Sequence, residues 1–140
     1  MSIVNVIVIL ILCIILFLLI DIPMITIINK KMYMDSFYKI NNNIMNTGKQ
    51  GIVGAILAYI LLAFAVYYFI IRDNKLVKIS DIFIRGCILG LVIYGVYNTT
   101  NLATINNYSI KVSIVDTIWG SLLMGLISIL SVYIIKRIKI

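Results

Sequence analysis

The sequence predicts an all-α fold: an integral membrane four-helix bundle with a short interfacial segment between helices 1 and 2. Three observations predict it. Residues Ile3 to Ile20 run for eighteen positions with one polar member, Asn5, and no charge. A helix rises 1.5 Å per residue and a bilayer core takes about 20 apolar residues to cross, so this run reads as a span. The pattern recurs three more times in 140 residues, and the chain as a whole is 63% hydrophobic with a mean hydropathy of +1.13. A soluble domain, with about 45–50% apolar residues, could not cover that much apolar surface. One membrane domain over 1–140 is expected, with spans at about 3–28, 51–71, 82–105 and 110–135.

The first span holds Asp21 and Pro23 near its end, and Lys30 and Lys31 mark its exit into headgroups. Proline removes a backbone donor and clashes with the preceding turn, so a kink is expected there. No basic region precedes Ile3 and no small-residue cleavage pattern follows the run, so it reads as a retained anchor and not as a cleaved signal. Residues 32–49 admit two readings. Tyr33, Phe37, Ile40 and Ile44 follow helical spacing, with Asp35, Lys39, Asn42 and Asn46 largely opposite, which fits an amphipathic helix in the interface. An ordinary loop fits the Asn41-Asn42-Asn43 run equally well.

The second span carries Gly51, Gly54, Ala55 and Ala58 as a small-residue stripe, and a charged turn from Arg72 to Lys78 follows it. Ser80 or Asp81 is placed to cap the third span. Arg85 can snorkel toward the interface. Gly86 and Gly90 form a G-x-x-x-G pair, a spacing that lets helix backbones approach closely. Asn106-Asn107 reads as a tight turn. On the fourth span Thr117, Ser121 and Gly125 are spaced by four, and with Gly120 they offer a face for a neighbouring helix. Cys13 and Cys87 lie inside spans without metal-ligand spacing and read as small packing residues.

Charge bounds orientation and partners. The net charge is +7, with the basic residues mostly at the ends of the apolar blocks. Lys and Arg divide seven to five in favour of the side that holds both termini, which predicts cytoplasmic termini by a small margin. The expected partner is the lipid bilayer; self-association into a homo-oligomer is left open. No loop could form a broad basic surface, so nucleic acid is not an expected partner. Ile, Asn, Lys and Tyr, served by AT-rich codons, are abundant, which points to an AT-rich genome such as that of a low-GC bacterium or a large DNA virus.

Chemistry is narrowed by what lies within the spans. An aspartate at mid-span costs about 2.5–3.5 kcal/mol, so Asp21 and Asp116 should face a partner helix or a water-filled cavity. With the turn at Asn107, Asn98 and Asp116 each lie nine residues away, roughly 13 Å below it in an antiparallel hairpin. Asn101 and Ser113 are level by the same count. Asp21 enters from that side of the membrane, and Tyr59 has a similar depth. Asp21, Tyr59, Asn98, Asn101 and Asp116 should therefore share one polar layer, with Trp119 one turn below. Trp119 either lines the same cavity or fills space between helices. For Asn101 and Thr104 interhelical hydrogen bonding is the preferred reading; for the two aspartates together, function is preferred. Histidine is absent, no lysine lies in a span core, and no nucleotide-binding or nucleophile-elbow motif occurs. No cofactor, metal or catalytic residue is expected.

The segment Tyr97-Asn98-Thr99-Thr100-Asn101-Leu102-Ala103-Thr104, followed by Val115-Asp116-Thr117-Ile118-Trp119-Gly120, resembles a family of small predicted membrane proteins known as domain of unknown function 2177. Gly90 with Tyr94, Phe37-Tyr38 and Asp21 fit the same pattern. The resemblance covers nearly the whole chain and is most specific from Gly90 to Gly120. It implies about four spans and a shared polar layer, and it supplies no activity. The chain departs from it at Asn98, where the family usually has an acid, and at Met24, where it usually has tryptophan. The leading functional expectation is a structural or assembly role with a buried Asp/Asn layer. The alternative is a small dimeric cation- or proton-coupled carrier or channel that uses Asp21 and Asp116. A lipid-acting enzyme is the weakest option, since nothing marks a nucleophile.

Overall fold

The computed structural model describes residues 2–41, 48–72 and 78–139. Expectations for positions 42–47 and 73–77 lie outside the described residues. The described residues form five α-helices in order: α1 (Ile3–Pro23), α2 (Lys30–Asn41), α3 (Lys49–Val66), α4 (Ile79–Thr104) and α5 (Ile110–Ile138). Wider π turns extend α1 over Met24–Ile28 and α3 over Tyr67–Ile71. Ile3–Ile28, Lys49–Ile71, Ile79–Thr104 and Ile110–Ile138 are each long and apolar enough to cross a bilayer.

Local chemistry sets the helix ends. The Ser2 hydroxyl accepts from the Asn5 N–H and starts α1, and Ser109 does the same for Val112 at the start of α5. Pro23 sits inside the first span. It cannot donate to the preceding turn, and the chain answers by widening into the π turn, closed by the Asn29 N–H on the Met24 carbonyl at 2.9 Å. Asn107 makes the hairpin between α4 and α5 at φ 63°, a left-handed conformation that asparagine tolerates. The expected cap at Ser80 or Asp81 is corrected: α4 starts earlier, with Lys78 in the capping position and no side-chain cap, while Ser80 turns to the Asp81 carboxylate. Of the two readings of residues 32–49, the helix holds for Lys30–Asn41.

The fourth span is the central post. Half of its apolar window is buried, against 17–22% for the other three. α1 packs between it and α3, burying Ile9, Cys13 and Phe17, a stripe spaced by four that Asp21 continues. Cys13 and Ser131 meet at 3.3 Å in the core. α4 and α5 form the closest pair. A Cβ on Gly86 would lie 2.6 Å from the Ser128 hydroxyl and 2.8 Å from the Gly125 Cα, and Gly125 itself faces Cys87 and Phe83. Gly90 abuts Gly120 and Met124, and Gly120 lies against the Tyr94 ring. Ser121 donates to the Cys87 carbonyl at 2.9 Å. Lipid tails are as apolar as leucine, so association here comes from close packing and hydrogen bonds, and small residues permit both.

The small-residue stripe of α3 behaves differently. A Cβ on Gly54 would meet nothing within 4 Å, and Ala55 and Ala58 are exposed. Among the described residues, Gly54, Ala55 and Ala58 therefore make no close-packed helix contact, while Gly51 is half-buried. In a span apolar on every side, periodicity does not separate the lipid face from the helix face. A paired substitution checks the distinction. Gly90→Ala should destabilise the bundle by about 1–3 kcal/mol through overpacking, while Gly54→Ala should change stability by less than about 0.5 kcal/mol, measured by unfolding in detergent micelles.

Candidate functional site

Two hydrogen-bonded knots lie side by side near the α4–α5 hairpin. The first is built on Asp116, about two turns into α5 from its Ser109 cap. Its Oδ1 accepts the Tyr33 hydroxyl of α2 at 2.6 Å, and its Oδ2 accepts the Asn98 amide of α4 at 2.8 Å. Asn98 is fully buried. Its Nδ2 also donates to the Tyr94 carbonyl one turn back, and its Oδ1 accepts the Tyr108 hydroxyl at 2.9 Å. The amide thus spends its donors and an acceptor within the protein, as a buried polar group must.

The second knot is built on Asp21. Its Oδ1 accepts the indole N–H of Trp119 at 2.8 Å, and its Oδ2 accepts the Tyr59 hydroxyl of α3 at 3.0 Å. The Tyr59 ring also lies 6.2 Å from that of Phe17. Asp116 and Trp119 are three residues apart and so share a face of α5. One helix therefore takes part in both knots, as acceptor in one and donor in the other. Together they tie α1, α2, α3 and α4 to α5.

Every donor named on these carboxylates is neutral: two phenols, an amide and an indole. Burial, foremost, and the Asp116 carboxylate push the Tyr33 phenol well above its ordinary value, so it remains a proton-bearing donor throughout the physiological range. No buried side-chain nitrogen or oxygen among the described residues lacks a partner.

The depth count from Asn107 puts Asn98 and Asp116 level, and the two share a hydrogen bond. Asp21 and Tyr59 share another. Trp119 packs against the hydrophobic core and also holds the α1 carboxylate through its indole N–H. Asn101 is half-buried and joins the edge of the first knot through a hydrogen bond with the Tyr108 hydroxyl. Thr104 is corrected from an interhelical bond to one within its own helix, to the Thr100 carbonyl at 2.8 Å. Sequence reasoning missed Tyr33 and Tyr108 as partners. The available signal was that a tyrosine on an apolar stripe still carries a hydroxyl that needs a partner once buried.

A chamber of about 610 Å³ lies against the two knots. Asp21 and Asp116 both contribute to its wall, with Tyr33, Tyr59, Tyr94 and Tyr97 around them. The rest of the lining is largely aliphatic. Its size falls within the range of about 300–1,000 Å³ typical of small-molecule sites. Among the described residues no group of three acidic, cysteine or histidine side chains could hold a metal ion.

The Tyr33 bond provides a direct check. Tyr33→Phe keeps the ring and removes the donor to Asp116. It should cost about 0.6–2 kcal/mol and raise hydrogen–deuterium exchange across 30–41, with little change in α4 and α5. Tyr38→Phe, at an exposed position of the same helix, should do neither.

Comparison with curated proteins and with solved structures finds no match. A family described as predicted membrane protein, DUF2177, matches residues 6–133. Four apolar helices of spanning length agree with that description, and the chain is an integral membrane protein belonging to the DUF2177 family.

Proposed function

We propose that the protein has a structural or assembly role in its membrane. In this reading the Asp21–Asp116 layer fastens the spans into one bundle and holds α2 along one bilayer surface as a fixed platform. One observation carries it: each of the four carboxylate oxygens accepts a donor from a different residue, and those donors come from α2, α3, α4 and α5. In lipid no water competes for such donors, and leaving one unsatisfied costs several kcal/mol. The excess of Lys and Arg beside the termini supports a cytoplasmic location for both ends.

A second reading is favoured by the chamber. A small carrier or channel, dimeric in the simplest form, would use Asp21 and Asp116 to take a cation or a proton-coupled solute. A fastener alone needs no cavity beside it, so the chamber supports this reading.

Asp21→Asn and Asp116→Asn separate the two. Each replaces an acceptor oxygen with an amide nitrogen that faces a donor. Under the structural reading each should lower stability by about 1–3 kcal/mol, seen as a lower melting temperature in detergent. Unchanged melting with lost cation-driven uptake in proteoliposomes would move the case to the carrier. Epitope tags at either terminus, probed in intact and opened cells, should be shielded until the membrane is opened if the termini are cytoplasmic.

A further inference from the structure

The chamber has chemical detail beyond a generic solute site. We infer that it binds an organic cation with a long apolar tail, taken laterally from the bilayer between α3 and α4. The inference rests on the chamber of the second reading but not on transport.

The polar end suits a cation. Two carboxylates line it, and the four donors they hold are all neutral. A carboxylate offers about four lone-pair positions, so the two donors named on each leave further acceptor capacity. Tyr33, Tyr59 and Tyr94 lie at that end, and aromatic faces attract ammonium groups through their quadrupole. A bare divalent ion suits it poorly. Such an ion takes six or more oxygens, and about 610 Å³ is far more room than it needs.

The remaining lining suits a tail, and its position gives the route. Ile93 and Leu62 continue the chamber away from the acids. Its outer wall is formed by Ala55, Ala58, Leu61 and Tyr97, all exposed on the faces of α3 and α4. The contacts between spans two and three fall chiefly at the far end, where the Tyr67–Ile71 turn meets α4. Near the acids the two helices stand apart. α2 closes the chamber toward the membrane surface through Tyr33, Ser36 and Phe37. The opening therefore faces acyl chains, and an occupant arriving that way must itself partition into lipid.

The test uses the full chain in dodecyl maltoside micelles and tritiated dodecyltrimethylammonium as probe. The expected result is saturable binding of one probe per chain. Dodecyl sulfate should compete at least tenfold more weakly than unlabelled probe, and so should tetramethylammonium, which has the head without the tail. Ala58→Phe fills the opening from an exposed position, so it should fold normally and weaken binding at least tenfold. Asp116→Asn, where it folds, should do the same. Absence of saturable binding overturns the inference, as does equal competition by dodecyl sulfate or full affinity in Ala58→Phe. Complete disulfide cross-linking of two copies through Ala55→Cys also overturns it, because a second copy would then cover the opening. Failure here leaves the structural reading intact, since that reading is tested by melting and not by binding.

Discussion

A carboxylate in hydrocarbon must find its hydrogen-bond donors inside the protein, and this requirement organises the molecule. Asp21 and Asp116 each take two donors, and each donor belongs to a separate residue. The apolar faces of the spans could slide against lipid or against one another at little cost, because both surroundings are equally oily. In the structural reading proposed above, the knots remove that freedom. They set the depth of α1 and α3 against α5, and they pull α2 back onto the bundle just after the chain has left the first span.

Packing and polarity divide the work along α5. Toward its C-terminal end the helix is held by contact: Gly125 and Ser128 against Gly86, with Leu123, Met124 and Ile127 fully buried. Toward its N-terminal end Asp116 and Trp119 hold by hydrogen bonds, and the helices separate enough to leave the chamber. Glycine contacts fix how close α4 and α5 lie. The aspartates fix which residues sit level. The open space lies beside the polar layer, bounded by Tyr94, which also packs against Gly120.

Much of this was legible in the sequence. Counting outward from Asn107 aligns Asn98 with Asp116, because rise per residue is constant and the hairpin is tight. Gly86 and Gly90 announce a close helix pair through their spacing. Three features were hidden. Gly54 and Ala58 have the same spacing but are exposed, because a membrane helix is apolar on its lipid side and on its packed side alike. Thr104 bonds its own helix, a choice that composition leaves open. Tyr33 required knowing that α2 doubles back over the chamber, a long-range fact set by the π turn after Pro23 and by a bond spanning 83 residues.

A double-mutant cycle on Tyr33 and Asp116 tests most directly whether the layer binds the helices together. Unfolding free energies of the parent, Tyr33→Phe, Asp116→Asn and the double variant, measured in one detergent, isolate the coupling between two side chains on different helices. The expected result is a favourable coupling of about 0.5 kcal/mol or more. Strict additivity, with each substitution costing the same whether or not the other is present, would contradict it.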